Sequence, residues 1–244
     1  MGIKKHVPNT ITSIGLACGV IGIIATLAYG KPLAGLYFML GALACDYCDG
    51  LAARLLGAYS DMGKELDSIA DMVNFGVLPS VMLYQTYDLL NNDAAGEWLI
   101  WLTLVLAVFS GLRLAKFNVD ERQHESFIGL ATPSSALLAA SFCVWALEGG
   151  QGFITGLAST VWFIPALAVT LGALMVSGIP MFSFKFGKDI HADAVTKMKR
   201  YAFLSISAIV VILVVTLGWH WTAVIAGVIC AYILMNICFA ILRK

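Results

Sequence analysis

Four aspartates stand in stretches that are otherwise nearly free of charge: Asp46 and Asp49 late in one apolar segment, Asp67 and Asp71 early in the next. On a helix turning about 100° per residue, Asp46, Asp49, Gly50 and Ala53 fall within an arc of about 100°, and Gly63, Asp67 and Asp71 within about 80°. A helical hairpin therefore sets two carboxylate stripes face to face. Two like charges 4 Å apart at an effective dielectric of 20 repel by about 4 kcal/mol, so four carboxylates stay ionised together only with cations between them. Arg54 and Lys64, the basic residues beside them, are too few. Clustered hard oxygens suit Mg²⁺, Mn²⁺ or Ca²⁺ rather than zinc, and two divalent ions sharing such a cluster are a standard device for displacement at phosphorus. Gly50, Ala53 and Gly63 lie on the same stripes, where their lack of bulk leaves room for a ligand.

The elements that carry these carboxylates belong in a bilayer. Of 244 residues, 60% are hydrophobic and only 12% charged, about half the charged share of a soluble domain. Fifteen Lys and Arg balance fifteen Asp and Glu, so no basic field exists to hold nucleic acid. The chain reads as an all-α integral membrane protein, a polytopic helical bundle with about eight transmembrane helices near 10–29, 33–56, 64–90, 97–118, 132–149, 157–178, 201–217 and 221–242, preceded by a short interfacial segment. The run 201–242 is about twice the length of one crossing, and Gly218, Trp219, His220 and Trp221 supply its turn. Residues 1–244 form a single domain, with a core of six helices over about 9–180 and two further helices over about 200–242. Ionisable residues at membrane depth are functional candidates by default.

Orientation follows from the basic residues. Lys4, Lys5, Arg54, Lys64, Arg113, Lys116, Arg122, Lys185, Lys188, Lys197, Lys199, Arg200, Arg243 and Lys244 fall on one side of the predicted spans, against Lys31 on the other. That asymmetry places both termini and the acidic cluster on the cytoplasmic side, with the cell inner membrane as the expected location. Cys45 and Cys48 form a CxxC, but on a helix with no further ligands nearby they read as small hydrophobes. His6, His124, His191 and His220 are scattered and make no metal pair. Residues 181–188 alternate aromatic with polar or basic groups and read as an interfacial anchor.

Asp46-x2-Asp49-Gly50-x2-Ala53-Arg54-x8-Gly63-x3-Asp67-x3-Asp71 resembles, at every defined position, the signature of the CDP-alcohol phosphotransferase family. The resemblance implies an integral membrane enzyme that takes a CDP-linked lipid, transfers its phosphatidyl group to an alcohol and releases CMP. It further implies that Asp46, Asp49, Asp67 and Asp71 hold two divalent cations, Mg²⁺ or Mn²⁺, with Asp71 also the general base on the incoming hydroxyl. Asp49, Gly50, Ala53, Arg54, Ser60 and Gly63 would line the CDP-lipid site. Asn9 and Thr12 would close over the nucleotide, although both also suit a helix N-cap. A homodimer is implied as well.

The acceptor is narrowed by a longer stretch. Gly57-x2-Ser60-x2-Gly63-Lys64-Glu65-Leu66-Asp67-Ser68-Ile69-Ala70-Asp71, then Asn74-Phe75-Gly76 and Pro79, is similar to the extended form in the phosphatidylserine synthases of that family. Gly111 to Asn118 and Phe127-x-Gly129-Leu130-x-Thr132-Pro133 continue the likeness, with Ala131 where a proline usually stands. The expected reaction joins CDP-diacylglycerol to L-serine at the cytoplasmic membrane face. Arg113 offers a planar fork for a carboxylate, Asn118 an acceptor for an ammonium group, and Lys116 a further charge beside them. Glycerol 3-phosphate and inositol phosphate are the competing acceptors, and both would need more basic residues facing the site. Outside the enzymes, an ion transporter also places acids in the membrane, but usually near the midplane between internal repeats, and no repeat is visible here.

Overall fold

The computed structural model describes residues 6–91, 96–119, 127–150, 152–181 and 194–242. Its helices are α1 (His6–Leu27), α2 (Pro32–Leu56), α3 (Asp61–Asp71), α4 (Leu78–Asn91), α5 (Val105–Val119), α6 (Thr132–Glu148), α7 (Phe153–Ala158), α8 (Phe163–Val176), α9 (Ala194–Thr216) and α10 (Thr222–Leu242). A π-helical turn, Met72–Val77, joins α3 to α4, and a 3₁₀ turn, Glu97–Leu104, leads into α5. The protein is an all-α polytopic membrane protein. Among the described residues six helical stretches are long and apolar enough to cross a bilayer: His6–Leu27, Pro32–Leu56, Asp61–Asn91, Glu97–Val119, Met198–Thr216 and Thr222–Leu242. The other two expected spans are shorter helices, α6 with 17 residues and α8 with 14.

Two expected boundaries move. The first helix begins at His6, a turn before the expected start, and Pro8 sits in its first turn, where no N–H partner is lost. The expected span 157–178 is broken between α7 and α8, because Pro165 cannot donate to residue 161 and its ring crowds that carbonyl. The last pair turns where expected, with Gly218 at φ +64° between α9 and α10. Lys4, Lys5, Arg122, Lys185, Lys188, Arg243 and Lys244, which carry half of the orientation signal, lie outside the described residues, as do 182–188 of the aromatic stretch and His124 and His191.

The π-helical turn answers Pro79, which in a straight α-helix would press on the Phe75 carbonyl. Instead the Leu78 N–H reaches the Val73 oxygen, one residue farther back, and the long helix continues. The core gathers around α6, whose Ala136, Ala139, Ala140, Cys143 and Val144 are buried against Leu36, Met39, Phe75, Leu78 and Met82. α1 lies along α2 at close range: a Cβ on Gly15 would sit 3.0 Å from Cys45 Cβ. A two-residue bridge, β1 (Phe127–Ile128) antiparallel to β2 (Pro180–Met181), pairs Ile128 with Pro180. Gly129 follows at φ +79°, donating its N–H to the Ile179 oxygen at 2.9 Å, while a Cβ there would strike the Met175 carbonyl. This clip fixes where α6 begins.

Candidate active site

The carboxylates are set by the return from α2 to α3. α2 ends at Gly57, whose φ of +58° is a left-handed cap that favours glycine, and the Ala58 N–H bonds back to the Ala53 oxygen at 3.0 Å. Ser60 then caps α3, its Oγ accepting from the Gly63 N–H at 3.1 Å, with Asp61 in the first turn where a negative charge is favoured. α1 packs against both helices, making a three-helix wedge around the acids.

Within that wedge, Asp46, Asp49 and Asp67 each bring a carboxylate oxygen within 4.8 Å of the other two. Asp49 is buried at 7% exposure, and the other two are half-buried. Charges that close repel by about 3.5 kcal/mol per pair at an effective dielectric of 20. Oxygens bound to one Mg²⁺ stand roughly 3 to 4 Å apart, so small side-chain rotations bring these three onto one hard cation. The donor set fits. Asp71, one turn deeper on α3, lies outside that group of three but within electrostatic reach of Asp46, Asp49, Asp67 and Arg113.

Thr12 and Asn9 are both inside α1, so neither is an N-cap. The Thr12 hydroxyl lies 2.6 Å from Asp49 Oδ2 and 3.1 Å from the Pro8 oxygen, two acceptors for one proton. Asn9 faces Gly63, where a Cβ would stand 2.9 Å from Asn9 Oδ1. Gly50 is different, since a Cβ there would meet only Arg54 Nη2 at 3.9 Å. Arg54 is exposed and folds back along its helix, Nε donating to the Gly50 oxygen at 3.0 Å.

An open cleft of about 220 Å³ gathers the expected donor residues Asn9, Thr12, Asp49, Gly50, Ala53, Ser60 and Gly63 together with Asp67. Arg54 is not among its lining residues. Pro8, Ala58, Tyr59 and Lys64 also line it and were not expected. For Ala58 and Tyr59 the signal was there, since both fall in the turn between Gly57 and Ser60.

The expected acceptor residues part company. Arg113 is 8% exposed; its Nη1 donates to Thr132 Oγ1 at 2.8 Å, its guanidinium lies 5.9 Å from the Phe117 ring centre, and its Nε has no partner among the described residues. Asn118 is exposed and its Nδ2 donates to Ser68 Oγ at 3.0 Å, tying the end of α5 to α3 beside Asp67. Lys116 is exposed and is not part of the cleft. Cys45 and Cys48 are free thiols.

The family profile described as CDP-alcohol phosphatidyltransferase matches residues 5–162. A Mycobacterium tuberculosis protein named CDP-diacylglycerol--serine O-phosphatidyltransferase is 34% identical over 209 residues, 83% of this chain and 68% of that protein. Proteins of the same name from Bacillus subtilis and Helicobacter pylori are 37% identical over 133 residues and 33% over 180, covering 54% and 73% of this chain and 72% of each relative.

Proposed function

The chain belongs to the CDP-alcohol phosphatidyltransferase family, and on that premise we propose that it transfers the phosphatidyl group of CDP-diacylglycerol to the hydroxyl of L-serine, releasing CMP. The observation that carries the reading is the group of three carboxylates, two of which, Asp49 and Asp67, line a cleft that is free of bulk at Gly50 and Ala53. The names of the relatives support serine as the acceptor.

Asp46, Asp49, Asp67 and Asp71 would hold two divalent cations, Mg²⁺ or Mn²⁺, which when bound neutralise charge on the diphosphate. The remaining work belongs to the chain. Thr12 bonds Asp49 and fixes one carboxylate, Asn9 and Ser60 border the nucleotide, and Arg54 swings from its own helix toward the diphosphate. Asp71 takes the proton of the serine hydroxyl as that oxygen forms its bond to the phosphorus bearing the diacylglycerol oxygen; the bond from that phosphorus to the CMP oxygen breaks. Arg113, shielded and, among the described residues, short of an acceptor at Nε, binds the serine carboxylate. Asn118 offers its carbonyl end to the ammonium group. The site would open to the cytoplasm, with the two C-terminal helices α9 and α10 appended to a six-helix core.

The test is to supply the purified protein with CDP-diacylglycerol and, in turn, L-serine, glycerol 3-phosphate and inositol phosphate, and to measure CMP. Release that depends on serine supports the reading, and faster release with either phosphate removes serine while leaving the reaction type.

A further inference from the structure

Thr132 is used unlike four other buried hydroxyls of the bundle. Thr26, Ser80, Thr86 and Ser110 each donate to the carbonyl one turn back on their own helix, at 2.9, 2.8, 2.7 and 2.9 Å. Thr132 opens α6, so the residue one turn back, Ile128, belongs to β1 and offers no helical carbonyl. Its fully buried oxygen instead receives Arg113 Nη1, across nineteen residues of chain. The β1–β2 clip and Gly129 hold that first turn in place. A planar guanidinium tied at Nη1 and resting over the Phe117 ring has its plane determined, so the direction of Nε is determined too. That Nε is wholly shielded and, among the described residues, without a partner, and a buried donor left this way marks where an acceptor atom arrives.

We propose that Thr132 is the positioning residue for acceptor recognition: by accepting from Arg113 Nη1 it aims Arg113 Nε at the carboxylate of the amino-acid acceptor. The proposal rests on the serine reading above and adds the group that orients the arginine. Ala131 serves the same end, since its φ of −64° and ψ of 137° deliver the chain into α6 at the angle a proline would impose.

The experiment measures KM for L-serine and for CDP-diacylglycerol separately in Thr132→Val, Thr132→Ser, Arg113→Ala and the Thr132→Val, Arg113→Ala double variant. Thr132→Val, which keeps the branched shape and removes the oxygen, is expected to raise KM for serine roughly ten- to a hundredfold and to leave KM for the CDP-lipid in place. Thr132→Ser restores most of the loss. Once Arg113 is Ala, Thr132→Val adds nothing further, because both act through one contact. An unchanged serine KM in Thr132→Val, or full additivity in the double variant, overturns the proposal. If Thr132→Val does not accumulate as folded protein, Thr132→Ala is held to the same criteria. Selective loss of serine use in Arg113→Ala with a silent Thr132→Val removes only the positioning role. A silent Arg113→Ala removes the carboxylate reading and this proposal with it.

Discussion

The two sides of the proposed site, donor and acceptor, are built in opposite ways. On the donor side, α1, α2 and α3 follow one another in the chain and leave an open cleft, with Arg54 exposed on α2. On the acceptor side a single guanidinium is almost wholly enclosed, and its partners come from α5 and from the start of α6. The difference matches the two proposed substrates. A CDP-lipid is large and amphipathic and enters from the bilayer, so its site gains from being open and from spreading recognition over many groups. A free amino acid is small, and discrimination against other alcohols has to come from one strong contact in a place that excludes water, where a charged hydrogen bond is worth most.

The largest effect separates the chemistry from both sides at once. Chelation with EDTA, or Asp67→Asn, is expected to lower turnover by at least about a thousandfold, several kcal/mol of transition-state stabilisation, with Mg²⁺ or Mn²⁺ restoring only the chelated protein. Steady CMP release after exhaustive chelation would rule out the metal reading.

Next in size comes the acceptor side alone. Arg113→Ala removes a charged contact worth about 1.5 to 3 kcal/mol, so serine use should weaken roughly ten- to a hundredfold while CDP-lipid affinity holds. Equal weakening toward both substrates would mean that Arg113 supports the bundle and not the acceptor.

The donor side also responds to filling. Gly50→Val places its side chain in open space, so thermal stability should stay within about 0.5 kcal/mol of the wild type, while KM for the CDP-lipid rises. Gly63→Val drives into Asn9 and Ser60 and should destabilise by about 1 to 3 kcal/mol. Melting curves beside donor titrations distinguish the two, and a Gly50→Val protein with normal donor KM would take that residue out of the cleft's function.

The smallest expected effect is on the frame. Ala131→Pro suits a φ of −64° and should raise stability by about 0.4 to 1 kcal/mol, leaving both KM values alone. A drop in stability would show that the Ala131 N–H or the residue before it does not accept the ring.

How far the chain could be read in advance follows the same division. Asp46, Asp49 and Asp67 converge because they lie on two helices joined by a short return, and helical spacing alone brings their stripes together. Gly50 and Gly63 were legible as small residues on those stripes, but not that one faces open space and the other a packed Asn9. The eight apolar segments were visible by length, while the break before α8 came from Pro165 acting on a residue four back, which a hydropathy run conceals. Arg113 was singled out by its type. Its bond to Thr132 was not, since it depends on a clip between β1 and β2 that pairs residues 52 and 54 apart in the chain and leaves no periodic trace. The bond from the Asn118 amide to Ser68 was not legible either, since helical spacing within α5 does not show that its end lies beside α3.

The division of labour is tested most directly by a crossing of two titrations on two variants. With one preparation each of Thr12→Val and Arg113→Ala, the KM for CDP-diacylglycerol is measured at saturating serine, and the KM for serine at saturating lipid. The account predicts that Thr12→Val, which frees Asp49 from its 2.6 Å bond, raises the lipid KM alone, and that Arg113→Ala raises the serine KM alone. Parallel rises in both constants in either variant would contradict it.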